Sequence, residues 1–468
     1  MSLAAVNPVL WLEQVMAEDP GEACPPLAGA ATADVCVVGG GLLGLWTALE
    51  VAEQAPDARV VLIEGEACGF GASGRNGGWM TSWWDELDGL QARFGAADAR
   101  WLAARSSEAI DRVQLVTEAA GIDCGLRRGG ALIAATAPAQ LTRLPSAMEG
   151  PVRRLDADEL RRRTGTAVGL AGVELSDAAA VHPARLVRGL RHLALRRGVR
   201  IFEGTQMRAL ERGRPPRVIT SAGRVDAGAV VIALGAWVAR LREVRRAVLP
   251  VASHIVATEP IPERIEQLGW TGGELLGDPR TLVHYSQVSP DGRIVFGRGG
   301  GVFGSAGRVV GRHFADPAAV RDVEAGLRRW FPSLADVRIT HSWGGPVDHA
   351  PGHLPWVSEL GDAGTVHYAA GFSGNGVAPS AFVGQILGRR ALGIDDELTR
   401  CALVGDPPGL LPPEPLRTAG GFVVRDAVRR AEAREEQGER PDALTDRLRR
   451  LVWFTVPGAL DPRARRSR

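Results

Sequence analysis

Along most of this chain the apolar positions fall into short unbroken runs or longer stretches with helical spacing. Asp34–Val38 is an apolar run that ends in glycines, which predicts a buried parallel strand. Leu42–Gln54 is apolar at helical spacing, and Arg59–Ile63 is a second buried run. Strand, helix and strand in this order predict a right-handed βαβ crossover. Further on, residues 85–120 predict a helix and 125–136 an alternating strand. Arg185–Arg197 predicts a helix, Val199–Glu203 a strand, and Ala229 to Leu234 a buried strand ending at Gly235. Short strands dominate 250–345, with turns at Pro290-Asp291-Gly292 and Gly299–Gly301. Val366–Ala370 is one more buried strand, followed by a glycine-rich turn and an apolar helix from about Ala378 to Leu392. Residues 1–30 form a Pro/Gly/Ala-rich lead-in, and 400–420 are proline-rich and irregular. A charged helix over Val423–Gly438 and a shorter one in 441–453 close the chain.

The first turn carries chemistry. Gly39-Gly40-Gly41-Leu42-Leu43-Gly44 satisfies Gly-x-Gly-x-x-Gly between a strand and a helix. Gly39 permits a tight turn, Gly41 lets a pyrophosphate approach the backbone, and Gly44 lets helix and strand pack closely. The helix start then offers N–H groups and a positive dipole end to phosphates. Gly39, Gly41, Leu43 and Gly44 are the expected nucleotide contacts. Glu64 closes the second strand, 20 residues after Gly44, where a carboxylate meets an adenosine ribose. A second glycine- and hydroxyl-rich loop follows, Cys68-Gly69-Phe70-Gly71-Ala72-Ser73-Gly74-Arg75-Asn76-Gly77-Gly78. Such a loop favours a flavin over a nicotinamide, because small residues let the backbone pass beneath a ring and polarise it.

Composition narrows the chemistry. In 468 residues there are 55 basic and 54 acidic side chains, and every basic one is arginine. Without lysine there is no Schiff base and no Gly-x-x-x-x-Gly-Lys phosphate loop. The balance of +1 argues against a nucleic-acid partner. No apolar run approaches membrane-spanning length, and the first residues lack the basic region of a secretory signal. Five cysteines form no Cys-x-x-Cys pair and no metal-ligand spacing is visible, which fits reduced thiols in the cytoplasm.

These residues resemble the FAD-dependent amine oxidases of the D-amino acid oxidase and glycine oxidase superfamily, in the gamma-glutamylputrescine oxidase-like branch. The GGGLLGL turn, Glu64 and GASGRNGG carry the resemblance first. Asp278-Pro279-Arg280 through Gly292-Arg293-Ile294-Val295-Phe296-Gly297 is similar to that branch's DxR…DGRxxFG segment. Trp343-Gly344-Gly345-Pro346-Val347-Asp348 is similar to its WGGxxD, and Ala370 to Val377 to its GFSGHG flavin loop, with Asn375 in place of histidine. The resemblance covers about residues 32–395. It implies an α/β fold, a Rossmann-like FAD-binding domain (GR2-type) interwoven with an α+β substrate domain on an antiparallel sheet. The FAD domain is expected over 30–100, 166–248 and 340–395, the substrate domain over 101–165 and 249–339, and a helical extension over 400–468.

The resemblance further implies oxidation of an amine or amino-acid-like substrate to an imine, with O2 or another electron acceptor. Gly71, Ala72, Ser73, Arg75, Asn76 and Gly77 are expected around the flavin, as are Gly374, Asn375, Gly376 and Val377, while Gly235 is expected to flank the nucleotide. Met207 is expected at the adenine. Tyr285, His349 and Asp348 are the catalytic candidates, although Tyr285 also fits a half-buried strand aromatic. Trp79, Met80, Trp83, Tyr285 and His284 are the substrate candidates. Two or three of the Trp79–Trp84 cluster read equally as core, and His284 has the opposite strand parity to Tyr285. Gln287 stands where some relatives have arginine, so Arg127, Arg128 or Arg298 are considered as anion anchors. Segment 338–360 has no cysteine, with Gly345 near the position used for covalent attachment in sarcosine-oxidase relatives, so FAD is expected to be non-covalent. Those relatives also place a lysine at the flavin to activate oxygen, which this chain lacks.

Overall fold

The Leu42–Gln54 helix has the bounds its spacing predicts, directly behind a strand that runs from Gly29 to Val38. The computed structural model describes residues 8–453, apart from residues 20 and 22. Gly29–Val38 pairs in parallel with Val60–Ile63 on one side and Gly223–Ile232 on the other. Arg200–Phe202 extends the sheet beyond the first neighbour and Val366–Ala370 beyond the second, both parallel. Trp356–Glu359 closes the edge antiparallel. Val38 stands opposite both Ile63 and Ile232, and Ile232 opposite Tyr368. The strands therefore end level, and Gly39, Glu64, Ala233 and Gly371 emerge at one carboxyl edge. Strand order reverses at Gly29–Val38, and doubly wound sheets bind ligands in the crevice at such a reversal.

The Leu42–Gln54, Ala96–Ala120, Pro183–Arg196 and Pro379–Ala391 helices share one core with Val35, Val37, Leu62 and Val231. The last helix crosses the first at very close range. A Cβ at Gly384 would lie 2.7 Å from the Trp46 Cβ, and one at Gly388 2.9 Å from the Glu50 Cβ. Both helices follow parallel strands of one sheet, so their N-termini open towards the same edge.

In the second sheet the order is Ile339–His349, Leu249–Thr258, Ile294–Phe303, His284–Val288, Leu275–Gly277, Ala131–Ala135, Ala171–Leu175 and Val152–Asp156. Its pairing is antiparallel except between Leu275–Gly277 and Ala131–Ala135. Side chains alternate between its faces. Ile255, Tyr285, Val295 and Trp343 meet Trp11 of the Leu10–Glu18 helix. Val256, Ile294 and Phe296 meet Trp330 of the Pro317–Trp330 helix.

Several expectations change. The 85–120 stretch is two helices, Leu87–Phe94 and Ala96–Ala120, because Gly95 at φ +83° interrupts the run. The 125–136 strand shortens to Ala131–Ala135. Helices occupy Leu10–Glu18, in the supposed lead-in, and Pro262–Leu268 and Pro317–Trp330, among the supposed strands. The terminal charged helix begins at Leu416 rather than Val423. Ala171–Leu175 and Ile339–His349 pair in the second sheet, although the expected boundaries put them with the first. Ala96–Ala120 packs in the first core instead of with the substrate unit. Pairing partners far away in the chain decide membership here, and local periodicity does not contain them.

Candidate functional site

At the carboxyl edge of the parallel sheet the turn after Val38 admits no side chains. Gly39 sits at φ +117°, and a Cβ there would lie 2.3 Å from the Ala233 carbonyl oxygen. A Cβ at Gly44 would lie 1.9 Å from the Gly39 oxygen, and one at Gly41 2.8 Å from Ser73 Oγ. Leu43 buries its side chain in the core, leaving its first-turn N–H as its polar contribution. Ser73 Oγ accepts from the Leu42 N–H at 2.9 Å. Glu64 accepts from the N–H groups of Gly40 at 2.7 Å and Glu66 at 2.9 Å. Burial raises its carboxyl above the ordinary range. The Thr205 N–H donates to the Glu64 carbonyl at 2.7 Å, which draws the segment leading to Met207 alongside. Gly235, at φ +50°, follows the Gly223–Ile232 strand at the same edge. Glycine floor, two helix N-termini and a strand-end carboxylate together fit a dinucleotide.

The glycine loop that follows the Val366–Ala370 strand is held by Asp348. Its Oδ2 accepts from the Gly371 N–H at 2.7 Å and the Phe372 N–H at 3.3 Å. Ser373 takes φ +53°, rare for a residue with a side chain, and is pinned there. Its Oγ accepts from the Ala350 N–H at 3.1 Å and its N–H donates to the Asp348 carbonyl at 3.3 Å. Gly374, Asn375, Gly376 and Val377 then lead straight into the Pro379–Ala391 helix. Burial pushes the Asp348 carboxyl up to about 6. The carboxylate proposed from sequence as catalytic therefore shapes the loop backbone.

The Gly71–Gly78 loop is tied from three sides. Its carbonyls accept in succession: Arg75 from Trp343 Nε1 at 2.8 Å, Asn76 from Trp11 Nε1 at 3.0 Å, and Gly77 from Gln287 Nε2 at 2.5 Å. The Asn76 amide knits the loop internally, donating to the carbonyls of Ala72 at 3.1 Å and Ser73 at 2.8 Å and accepting from the Gly78 N–H at 2.7 Å. Arg75 is buried, with Nε donating to the Phe70 carbonyl at 2.7 Å. Its guanidinium lies 5.1 Å from the ring centres of both Phe70 and Phe314, and loss of water lowers its pKa to about 10. A cavity of about 440 Å³ opens beside it, towards Leu12 and Val187. At Gly345 a Cβ would lie 3.3 Å from the Arg75 Cβ.

Tyr285 faces this loop. Its ring covers Gly77 and Gly297, where added Cβ atoms would lie 2.5 Å and 2.2 Å from ring carbons. Trp79 meets the ring edge-on at 6.3 Å. The hydroxyl is bonded to Ser253 Oγ, which donates to the Arg298 carbonyl at 3.1 Å. Burial raises the phenol above its ordinary range. His284 does not join it. Strand alternation turns that ring to the other face, against Phe296 and Trp330, with Nδ1 2.9 Å from Asp278 Oδ2. Met80 and Trp83 are core residues as well. Both are buried in the helical core of the first sheet, where Trp83 meets Phe382 at 6.3 Å. His349 is half-buried, edge-on to His353 at 4.8 Å, and burial pushes it down to about 4, so it is neutral at pH 7. None of the three arginines is an idle anchor. Arg127 bonds the Val288 carbonyl, Arg128 pairs with Asp111, and Arg298 pairs with Asp322 and Glu432. Sequence reasoning missed Ser253, Trp11 and the tie from Gln287 to Gly77. Gln287 shares the strand parity of Tyr285, which was the available signal.

A doubly wound sheet with this glycine turn, a second glycine loop at a helix start and an antiparallel sheet facing both define a two-part flavin-dependent oxidoreductase. Residues 34–390 match the DAO family, FAD dependent oxidoreductase, and the chain belongs to that family. It is 31% identical over 405 residues to the probable oxidoreductase OrdL of Rhizobium meliloti, covering 83% of this chain and 89% of that one. It is 29% identical over 367 residues to the gamma-glutamylputrescine oxidoreductase of Escherichia coli, covering 76% of this chain and 83% of that one. Glycine oxidase from Geobacillus kaustophilus has the same fold, with a TM-score of 0.64 at 22% identity over 78% of this chain and 96% of that one. Among the described residues no helix is long and apolar enough to cross a membrane, and no three His, Cys, Asp or Glu side chains group to hold a metal.

Proposed function

We infer that this enzyme oxidises the C–N bond of an amine or amino-acid-like substrate to an imine, which water then hydrolyses. The observation that carries this reading is the meeting of Tyr285 with Gly77 across the two sheets, at the edge where both helix N-termini open. FAD, held non-covalently, would supply the two-electron acceptor that this oxidation needs, with O2 as the expected final acceptor. The residues that would hold it are Gly39, Gly41, Leu43, Gly44, Glu64, the Gly71–Gly77 loop, Met207, Gly235 and Gly374–Val377. Tyr285 and Trp79 form an aromatic wall for the substrate, and the raised phenol keeps its proton through the working pH range. His349, held neutral by burial, is a weak base, so the amine is expected to react from its neutral form, with the imidazole adding no positive charge beside it. Asp348 and Asn76 preorganise the two loops on which the ring would rest. The similarity to gamma-glutamylputrescine oxidoreductase supports an amine substrate, and the absence of disulfides among the described residues supports a cytoplasmic setting.

One observation favours a second acceptor. The chain contains no lysine, so no ammonium side chain stands near the flavin to assist oxygen. Turnover with primary amines, secondary amines, amino acids and aminophosphonates separates the readings. Carbonyl product with matching H2O2 supports the oxidase. Carbonyl product formed only with an added dye supports a dehydrogenase, and no carbonyl product from any of them contradicts C–N oxidation.

A further inference from the structure

Beyond the 34–390 family match, the Leu416–Glu436 helix lays buried carboxylates against the back of the Tyr285 strand. Glu432 is only 2% exposed. Its Oε1 accepts the Leu282 N–H at 3.0 Å, and its Oε2 lies 3.1 Å from Arg298 Nη2. Leu282 stands shortly before Tyr285 in the chain. Arg298 follows Gly297, the residue paired with Tyr285 across the ladder. The Arg298 carbonyl accepts from Ser253 Oγ at 3.1 Å, and Ser253 takes the Tyr285 hydroxyl. One carboxylate thus reaches Tyr285 from two directions, through the chain before it and through Arg298 and Ser253 to its hydroxyl. Neighbouring pairs reinforce it. Asp322 holds the other arm of Arg298 at 2.7 Å, and Glu436 pairs with Arg280, which lies 2.8 Å from Asp278.

The local backbone gives a reason for such a brace. Ala252 pairs with Val302 but His254 with Arg298, so Gly299–Gly301 bulge out of the ladder opposite Ser253. Three successive glycines carry little conformational preference of their own. Arg298 keeps its ladder pairs with His254 and His284 at the edge of these glycines, and its side chain is held in addition by charge-assisted bonds to Glu432 of the terminal helix and to Asp322.

We propose that Glu432 is a positioning residue for substrate: the C-terminal helix braces the Tyr285 strand and so sets substrate affinity. This rests on the reading of Tyr285 as substrate-facing. Glu432→Gln keeps the acceptor for Leu282 and loses the charge against Arg298. The measurement is anaerobic flavin reduction of the holoenzyme by its fastest-reducing amine, with Arg298→Gln, the double variant and Tyr285→Phe in parallel. The expected result is a rise of about tenfold in apparent Kd for E432Q and R298Q, no further rise in the double variant, and wild-type flavin content and limiting rate. Unchanged Kd in E432Q and R298Q, with an altered Y285F, overturns the brace. So does loss of folded holoenzyme in E432Q when the remaining fraction has wild-type Kd, since the helix is then packing alone. An unchanged Y285F defeats the reading of Tyr285, and the brace with it.

Discussion

Gly297 shows how much of the site rests on atoms that are absent. A methyl group there would lie 2.2 Å from Tyr285 Cζ, and the ring has Gly77 on its other contact. Gly297→Ala is expected to cost about 1–3 kcal/mol of overpacking and to push the ring off its position. Flavin content should persist while flavin reduction slows at least severalfold, read by anaerobic rapid mixing. Asp348 carries a different prediction. Its folded carboxyl titrates at about 6 against an ordinary 3.8, so between those values the fold keeps a proton that the unfolded chain has released. That contribution is complete below the lower value and is lost as pH rises through the upper one. Asp348→Asn cannot ionise, and its amide oxygen still accepts from Gly371. The difference in thermal midpoint between variant and wild type should therefore grow in favour of the variant as pH rises through about 6. A constant difference would contradict it. Parity in the sequence already separated Tyr285 from His284. It could not reveal that Asp348 serves the backbone at Gly371, because that approach depends on how two distant strands are paired.

Elements with a strong apolar pattern and a glycine turn at one end were legible in the sequence. Leu42–Gln54 and Val366–Ala370 have their predicted bounds for that reason. Pro317–Trp330 was missed although its start was written plainly, with Asp316 capping the N–H groups of Ala318 and Ala319 ahead of a proline. Its apolar stripe of Val320, Val323, Leu327 and Trp330 is narrow, and the surrounding turn signals suggested strands. The two glycine loops were legible because each is local, whereas their supports, Trp11, Gln287 and Trp343 for the Gly71–Gly78 loop and Asp348 for the loop at Gly371, come from elsewhere in the chain. The crossing of the two site helices is the element-scale test. Gly384→Val must displace Trp46, since even a Cβ would stand 2.7 Å from its Cβ. Both helix N-termini should shift, with a loss of about 1–3 kcal/mol and weaker FAD retention, measured by thermal denaturation and by flavin release on dilution. Full retention of FAD by a folded Gly384→Val protein would count against a site built from both helices.

Across the whole molecule, arginine supplies every permanent side-chain cation, and many histidines are held neutral. Burial pushes His182, His254, His349 and His367 down to about 4 and His353 to about 3. On unfolding each regains an ordinary value near 6.5 and binds a proton that the fold excludes. Stability from these groups is complete above about 6.5 and is lost as pH falls towards about 4, opposite in sign to that of Asp348 and of other carboxyls raised by burial, such as Glu64 and Glu432. The thermal midpoint of the holoenzyme should therefore fall steeply over that window, and a flat profile would contradict the buried neutral imidazoles. At the same scale, the two sheets bring the Tyr285 strand against the Gly71–Gly78 loop, and C–N oxidation at that meeting is the central claim. Its most direct test is anaerobic mixing of the holoenzyme with an amine that carries either hydrogen or deuterium on the carbon beside nitrogen. Saturable bleaching of the oxidised flavin, slower with deuterium, is the predicted result. Flavin that dithionite reduces but no amine, amino acid or aminophosphonate bleaches would contradict it.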